Sequence, residues 1–333
     1  MMIADVVLGL QYGDEGKGKI THHLCKTGGY THVIRFNGGC NAGHTIYHKG
    51  KKFVTHHIPA GVFFGIKSVI GPGCVVNPTQ FFKELEELKE GGVKTEGLIY
   101  IAENTHVITD EHLEEDGKDT VIGTTKRGNG PAYREKYARN GFLAKDLPYL
   151  QPYLVNIYDE LHKNTENPIV LCEGAQGFGL DIDWGDYPFV TSSHCTVGSA
   201  ILNGIPPQAI RDVWGVAKAY ETYVGAKKFE LDNPLFAKIR DLGQEYGATT
   251  GRPRQCGWIE VPFLEKSVKI NGINKIVFNK MDILENINHW VIRHKKNSFE
   301  IFENRNKFEE YFEFKLKRWG VEDIYFSDSP EKI

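Results

Sequence analysis

The sequence predicts an α/β fold, with a mostly parallel central sheet flanked by helices. Short apolar, β-branched runs recur along the 333 residues, which is typical of buried parallel strands. Segments with helical periodicity separate them, and strands that alternate with helices build parallel sheets. No Pro/Ser-rich linker, internal repeat or low-complexity tract divides the chain. We therefore expect a single elaborated domain over residues 1–333.

The predicted strands share this apolar, β-branched composition. They are Ile3 to Leu10, Val33 to Phe36, Ser68 to Ile70, Leu98 to Ile101, Pro168 to Leu171, Val213 to Ala219 and Lys275 to Phe278, with Tyr187 to Val190 also strand-like. One hairpin interrupts the alternation. It pairs Thr45 to Tyr47 with Phe53 to His56 around a turn over His48 to Lys52.

Three helices are predicted from their apolar faces, two between the strands and one near the C-terminus. Asn77 and Pro78 are typical of a helix start, and Tyr149 to Leu161 shows a similar apolar face. The third carries an aromatic stripe at helical spacing, which favours core packing over a partner-binding helix. The stripe consists of Phe308, Tyr311, Phe312, Leu316 and Trp319.

Composition argues for a cytoplasmic protein that binds neither nucleic acid nor membrane. The formal net charge is −3, so no global basic excess exists to hold a nucleic-acid backbone. The apolar run from Ile3 to Leu10 is short, contains Asp5 and lacks a basic leader, and no stretch is long enough to span a membrane. The six cysteines form no CxxC pair, which favours the reduced state.

The first glycine loop, Gly13 to Lys19, follows the first strand and precedes a helix over Ile20 to Cys25. Such a loop presents backbone N–H groups and a helix N-terminus to an anion, and Lys17 adds a positive charge. The spacing differs from the ordinary P-loop, so a plain tight turn is the alternative. Asp14 beside a phosphate site suggests a Mg²⁺ ligand or a proton acceptor, although it could also cap the helix.

Further polar loops fall at the expected strand ends, where open α/β sheets bind ligands. Asn37 to Thr45 contains His44, which is suited to acid–base work near neutral pH. Gly123 to Pro131 combines two threonines, Lys126 and Arg127 between glycines and reads as a phosphate clasp before a helix starting at Pro131. Gly174 to Gly177 and Thr191 to Ser193 add polar donors.

Two loops in the second half of the chain suggest carboxylate and guanine recognition. Glu245 to Arg254 holds two threonines and two arginines, and a guanidinium suits a carboxylate or a phosphate, although a solubilising surface loop is the alternative. Asn279 to Asp282, the sequence NKMD, follows a strand directly. In this arrangement an aspartate accepts from N1–H and the 2-amino group of guanine, donors that adenine lacks.

In this order, the motifs GDEGKGK, NAGHT, GTTKRGNGPAY, EGAQG, VTSS, GATTGRPRQCGW and NKMD resemble adenylosuccinate synthetase, from Gly13 to Pro330. The resemblance implies a homodimeric single-domain α/β enzyme of the adenylosuccinate synthetase type. It implies the Mg²⁺-dependent conversion of GTP, IMP and L-aspartate to adenylosuccinate, GDP and phosphate, through a 6-phosphoryl purine.

The resemblance also implies roles for matching residues. The catalytic residues are Asp14 as base and Mg²⁺ ligand, His44 as acid, Lys17 and Gln176, with Gly43 as a second metal ligand. The GTP-binding residues are Gly13, Glu15, Gly16, Lys17, Gly18, Gly43, His44, Thr45, Lys280, Asp282, Ser327 and Pro330. The purine monophosphate would be held by Asp14, Asn41, Thr125, Gln176, Thr191, Val224, Arg252 and Arg139, the last from the second subunit. Aspartate would be held by Thr249, Thr250, Arg252 and Arg254.

The chain departs from the family pattern at several places. Lys227 to Leu231 replaces the usual GPFPTE beside the ribose contact, Ser329 replaces a glycine of the guanine motif, and Cys40 replaces a larger polar residue. A related phage branch uses dGMP instead of IMP, but its best-known members lack the residue kept here as Asp14. IMP is therefore the expected substrate, dGMP is the alternative, and a GTP-binding switch without catalysis is a further alternative.

Overall fold

A computed structural model describes residues 1–247, 251–295, 297–331 and 333. Within these residues the strands are β1 (Ile3–Gly9), β2 (His32–Arg35), β3 (His44–His48), β4 (Lys51–Thr55), β5 (Lys67–Ile70), β6 (Val75–Val76), β7 (Ile99–Ala102), β8 (His106–Val107), β9 (Leu154–Val155), β10 (Ile169–Glu173), β11 (Ile210–Lys218), β12 (Glu221–Tyr223), β13 (Gln255–Gly257), β14 (Ile259–Glu260), β15 (Lys275–Asn279), β16 (Trp290–Lys295), β17 (Ser298–Phe302) and β18 (Asp323–Phe326).

The helices alternate with these strands. They are α1 (Lys17–Thr27), α2 (Pro78–Glu90), α3 (Asp110–Gly117), α4 (Asn129–Ala138), α5 (Ile157–Asp159), α6 (Gly198–Ile201), α7 (Pro234–Gly243), α8 (Val261–Asn271), α9 (Met281–Ile287) and α10 (Arg305–Arg318). Short 3-10 helices cover Ala60–Phe64, Ala144–Asp146, Pro148–Tyr153, Phe178–Leu180 and Pro207–Ala209, and a π-helical turn covers Glu160–Asn164.

Nine of the strands form the central sheet, in the order β18-β15-β11-β1-β10-β2-β5-β7-β9. Every neighbouring pair is parallel. The α/β prediction is therefore confirmed. Because parallel strands end at the same edge, the loops after β1, β2, β10, β11 and β15 meet there.

The remaining described strands form four smaller sheets. The strands β3 and β4 form the predicted antiparallel hairpin, and β12 pairs antiparallel with β13. A three-stranded sheet has the order β14-β16-β17, and β6 pairs with β8. The single-domain assignment of residues 1–333 stays a prediction, supported by a central sheet that uses strands from Ile3 to Phe326.

The first strand shows why strands of the central sheet have continuous apolar sequences and not an alternation of apolar and polar residues. Val6 and Leu8 belong to one buried apolar cluster, whereas Val7 belongs to another. Successive side chains of a strand point to opposite faces, so both faces of β1 are covered. Burial on both faces favours apolar residues at consecutive positions, and the buried exception, Asp5, is paired with Arg211.

Helix predictions were right where the capping signals were strong. Asn77 caps α2, because its side-chain oxygen accepts from the Gln80 backbone N–H at 3.0 Å. In α10, Phe308, Phe312 and Leu316 are fully buried, and Tyr311 and Trp319 pack against the same cluster. The interpretation of that stripe as core packing is confirmed.

Three predictions of local structure were wrong. Tyr149 to Leu161 is not one helix but a 3-10 segment, the strand β9 and the short α5, because Pro152 inside the segment has no N–H for a helical hydrogen bond. Tyr187 to Val190 forms turns and bends instead of a strand, since Pro188 has no N–H for a ladder. The hairpin turn is shorter than expected, because the strands extend to His48 and Lys51.

Two further features are the state of the cysteines and the length and polarity of the helices. All six cysteines are free and buried. Among the described residues, no helix is both long and apolar enough to cross a membrane.

Candidate active site

A cleft of about 530 Å³ opens at the carboxyl edge of the central sheet. It gathers most of the loops that the sequence singled out. The predicted site residues that line it are Gly13, Asp14, Gly16, Lys17, Gly18, Asn41, Gly43, His44, Thr45, Thr125, Gln176, Thr191, Val224, Arg252, Arg254, Lys280 and Pro330. Glu15, Arg139, Asp282 and Ser327 are not among the lining residues, and Thr249 and Thr250 lie outside the described residues.

The glycine loop joins β1 to α1 and presents a helix N-terminus to the cleft. Gly16 is the N-cap residue with φ 100°, and it has no side chain to occupy the first N–H groups of the helix. The helix begins at Lys17, three residues earlier than predicted. At Gly18 a Cβ would come within 2.8 Å of the His44 Cβ, so glycine allows the helix to pack directly against His44.

Glu15 is buried behind the glycine loop, binds its backbone and does not line the cleft. Its carboxylate accepts from the backbone N–H of Gln11 at 3.1 Å and of Gly13 at 2.9 Å. Its second oxygen accepts from Lys17 Nζ at 2.6 Å, and that ammonium also donates to the Gln176 carbonyl. The buried pair thus fixes the cation of the phosphate loop next to the loop after β10.

His44 lies at the start of β3 in a buried network with Arg35 and Glu173. Glu173 Oε1 lies 2.5 Å from His44 Nδ1 and 2.7 Å from an Arg35 guanidinium nitrogen, while its Oε2 accepts from the Ala60 N–H at 2.9 Å. Burial and the Arg35 charge lower the pKa of His44 to about 4, against the opposing effect of Glu173. Burial alone would raise the pKa of Glu173, but Arg35 and His44 lower it to about 2.

Asp14 faces Arg254 across the cleft. Its carboxylate lies 2.8 Å from Arg254 Nε and its side chain remains 32% exposed. Asp14 adopts φ 60°, and Gly16 caps the helix, so the alternative role of Asp14 as an N-cap is wrong. The Asp14 carboxylate therefore does not cap the helix and remains partly exposed beside the glycine loop.

Amide side chains link the two loops that follow β2 and β10. Asn41 Oδ1 accepts from Gln176 Nε2 at 2.9 Å and from Asn129 Nδ2 at 3.0 Å. Arg252 donates to the Gly123 carbonyl at 3.1 Å, which joins the arginine loop to the predicted phosphate clasp. The structure thus brings most of the predicted purine site together. Arg139 does not join it, because it ends α4 as an exposed residue with φ 66°.

The predicted guanine site lies where β15 and β18 end. Lys280 lines the cleft and its Nζ donates to the Gly243 carbonyl at 2.8 Å. Lys19 connects the pieces, since its ammonium donates to Asn279 at 2.7 Å, to Ser327 Oγ at 2.5 Å and to the Ser329 carbonyl at 2.7 Å. Burial lowers the pKa of Lys19 to about 8.

Sequence reasoning missed the buried charges that support these side chains. They are Arg35, Glu173, Lys218 and Glu245, together with the half-buried Lys19. A signal existed for three of them, because Arg35, Glu173 and Lys218 each end a strand whose directly preceding residues are buried. A charge inside such a run needs a partner, but the sequence does not say which one.

Comparison with known proteins decides the family. A family model for adenylosuccinate synthetase matches residues 6–150 and 147–306. The adenylosuccinate synthetase of Halothermothrix orenii is 41% identical over 338 residues, covering 85% of this chain and 78% of the relative. The chain belongs to the adenylosuccinate synthetase family.

Solved structures of related proteins agree with this placement. The fully ligated adenylosuccinate synthetase of Plasmodium falciparum matches with a TM-score of 0.86 at 30% identity, over 98% of this chain and 97% of that one. The succinoaminodeoxyadenylate synthetase of cyanophage S-2L, bound to dGMP and dATP, matches with a TM-score of 0.78 at 20% identity, over 99% and 94%. The second likeness shows the fold alone. The predicted family, fold class and enzyme class are confirmed.

Proposed function

We propose that this adenylosuccinate synthetase family member condenses IMP with L-aspartate, at the expense of GTP, to form adenylosuccinate, GDP and phosphate. The observation that carries the proposal is the convergence of Asp14, His44 and Arg254 on one cleft beside a phosphate-binding loop. Each group has a distinct task in this reaction. A protein that only binds GTP has no use for the three together.

The first step is phosphoryl transfer. Asp14 takes the N1 proton of IMP, O6 attacks the γ-phosphorus of GTP, and GDP leaves. In the second step the amine of aspartate attacks C6, the O6–C6 bond breaks, phosphate departs and the amine loses a proton. Conversion of O6 to a phosphate ester turns a poor leaving group into a good one.

His44 is proposed to act beside the γ-phosphate. A pKa near 4 makes the imidazole neutral at pH 7. A phosphate anion next to the ring favours the protonated form, so binding of the nucleotide supplies the condition for a cationic donor. The 2.5 Å contact with Glu173 holds the ring in a fixed orientation.

The residues present fit a Mg²⁺ ion with GTP. Mg²⁺ prefers oxygen ligands and binds proteins through one or two of them together with substrate phosphates. The Asp14 carboxylate and the Gly43 carbonyl would supply such oxygens, and both residues line the cleft. The ion would neutralise charge on the phosphates during transfer.

The proposed ligand sites divide the cleft. GTP would lie along Gly13 to Gly18 with its guanine near Lys280, Asp282, Ser327 and Pro330. The purine monophosphate would contact Asn41, Thr125, Gln176, Thr191, Val224 and Arg252. Aspartate would bind Arg252 and Arg254, with Thr249 and Thr250 added from the family resemblance alone.

One assay tests the proposal against the GTP-binding switch. Phosphate release from GTP should require both the purine monophosphate and aspartate. Release that proceeds at the same rate without either would support the switch and contradict the ligase.

The purine substrate has a second candidate, dGMP. Lys227, within the segment that departs from the family pattern, lies 5.1 Å from the Tyr12 ring centre and 5.2 Å from that of Tyr223, next to the proposed ribose contact Val224. The segment that departs from the family pattern therefore packs against two residues that line the cleft, Tyr12 and Tyr223. Retention of Asp14 favours IMP. A substrate matrix of IMP, GMP and dGMP, crossed with GTP and ATP and always containing aspartate, identifies the pair with the highest kcat/KM.

We further propose a cytoplasmic homodimer in which Arg139 reaches the partner's purine site. Arg139 is exposed between Tyr137 and Phe142, whose side chains are also exposed. Mixing the inactive variants Asp14→Asn and Arg139→Leu should restore activity, because hybrid dimers hold one intact site. Activity that is not restored, despite demonstrated subunit exchange, would contradict the shared site.

A further inference from the structure

We propose that Glu245 is a positioning residue that holds the Arg254 guanidinium in the orientation required by the substrate aspartate. The inference rests on the proposed function, because it assumes that Arg254 binds the carboxylate of aspartate. Glu245 itself is fully buried and does not line the cleft. Glu245 would therefore affect the reaction only by positioning Arg254.

The Glu245 carboxylate receives hydrogen bonds from three different elements. Its Oε2 accepts from Arg254 at 2.5 Å and from Lys218 Nζ at 2.8 Å. Its Oε1 accepts from the Tyr220 hydroxyl at 2.7 Å. The carboxylate thus ties the arginine loop to the end of β11 and to the segment after it.

Arg254 is held on two sides. Glu245 binds one terminal nitrogen, while Asp14 lies 2.8 Å from Nε. A planar guanidinium with two fixed edges has little freedom to rotate. When a substrate carboxylate displaces Asp14, the contact with Glu245 remains. Glu245 then still sets the direction of the other N–H groups of Arg254.

The backbone reinforces this arrangement. The Arg254 N–H donates to the Glu245 carbonyl at 2.9 Å, and the Gly247 N–H donates to the Arg252 carbonyl at 2.8 Å. Glu245 and Arg254 therefore face each other at the base of the arginine loop. This end of the arginine loop also lies beside the proposed guanine site, because Lys280 donates to the carbonyl of Gly243, two residues before Glu245.

Charge balance explains why a glutamine is a severe change here. Lys218 and Glu245 are both fully buried, and the Arg254 side chain is 11% exposed. Arg254 and Glu245 lower the energy of each other's charged form, and the two cations lower the pKa of Glu245 to about 2 in spite of burial. Removal of the carboxylate charge leaves Lys218 and Arg254 as adjacent buried cations.

The test uses Glu245→Gln and the double variant Lys218→Met/Glu245→Gln in the full-length protein with GTP, IMP and aspartate. The double variant removes the surplus cation but does not restore the anchor of Arg254. We expect both variants to raise KM for aspartate about 10- to 100-fold. KM for IMP and for GTP should change less than about 3-fold, on the same argument that supporting side chains act through the group they hold. Glu221→Gln controls for the substitution of a fully buried carboxyl group, because Glu221 does not line the cleft or contact Arg254, although burial raises its pKa to about 7.

The outcomes separate the two proposals. Recovery of the wild-type KM for aspartate in the double variant would show that Glu245 matters only for charge balance, and would overturn the positioning role. An equal rise in the Glu221→Gln control would also overturn it. If the wild-type protein itself shows no aspartate-dependent phosphate release, the proposed function fails instead. Should Glu245→Gln not fold, the double variant alone decides the matter.

Discussion

Two buried carboxylates support the two sides of the cleft in different ways. Glu173, at the end of β10, lies between Arg35 and His44, whereas Glu245, at the base of a loop, lies between Lys218 and Arg254. Each carboxyl has a pKa near 2 because two basic groups offset its burial.

The difference lies in the group that each carboxylate presents to the cleft. Beside Glu173 the presented group is an imidazole, which the Arg35 charge and burial keep neutral. Beside Glu245 it is a guanidinium, which stays charged at any ordinary pH. A buried carboxylate between two basic groups therefore holds a side chain that can change protonation, His44, in one network and a permanent cation, Arg254, in the other.

The largest expected effect tests the residue that joins the two sides, Asp14. Asp14→Asn should lower turnover by several orders of magnitude, because it removes a proposed base and a metal ligand together. Binding of IMP and GTP, measured by calorimetry, should remain largely intact. Near-normal turnover would reject the assigned role.

The Glu173 network is tested by Glu173→Gln. The substitution leaves Arg35 buried opposite a neutral group, and breaking a buried pair in this way costs about 3–5 kcal/mol of unfolding free energy. Urea unfolding measures this loss. The control is Glu115→Gln, whose partner Arg134 is half-exposed, and which should cost less than about 1 kcal/mol. Equal losses would mean that burial does not distinguish the two pairs.

The two networks should also differ in their response to mild acid. The pKa of His44 is about 4 in the folded protein and about 6.5 in the unfolded chain. The unfolded state binds more protons between these values, so this contribution to stability is complete above about pH 6.5 and falls as the pH decreases toward 4. From pH 7.5 to 5 the loss is about 2 kcal/mol for this one group.

His44→Asn should remove that part of the pH dependence. Glu245→Gln should leave it in place, because the Glu245 network contains no imidazole. Unfolding free energies at pH 7.5 and pH 5 measure both changes. An unchanged pH dependence in the His44 variant would contradict the neutral imidazole.

The smallest effect concerns a third carboxylate, Asp282, which has no comparable pair of cations. Burial raises its pKa, with Lys280 opposing. Asp282→Asn should reduce the preference for GTP over ATP by about 10-fold, since one acceptor for the guanine donors is lost. Competition kinetics with the two nucleotides measure it. Asp159→Asn, in an exposed pair with Lys163, serves as the control and should leave the preference unchanged.

Much of the fold could be predicted from the sequence, because the evidence was local. Seven apolar runs matched central strands, although β9 and β18 were missed. Strand β9 has only two residues and lies inside the segment assigned to a helix, and β18 is a four-residue strand that is half-exposed and begins with an aspartate. The segment Tyr149 to Leu161 shows the opposite error, since its apolar spacing favoured a helix that Pro152 interrupts.

The candidate site also contains residues that the sequence identified and residues that it did not. Glycines, hydroxyls and cations that must approach a ligand are recognisable in short loops, so Gly16, His44 and Arg254 were identified as candidates. Glu245 fell inside a recognised loop but drew no attention as a separate residue, because its partners Lys218 and Tyr220 come from another part of the chain.

By itself, the sequence determined the order of most strands and helices along the chain and which loops are candidates for binding phosphate, carboxylate and guanine, since each of those features lies within a few consecutive residues. The tertiary structure decided which charges face one another: Arg35 with Glu173, Lys218 with Glu245, and Asp14 with Arg254. Those pairings depend on the order of strands across the sheet, which brings β10 between β1 and β2. Coulomb interactions depend on distance in space, and separation along the chain does not encode that distance.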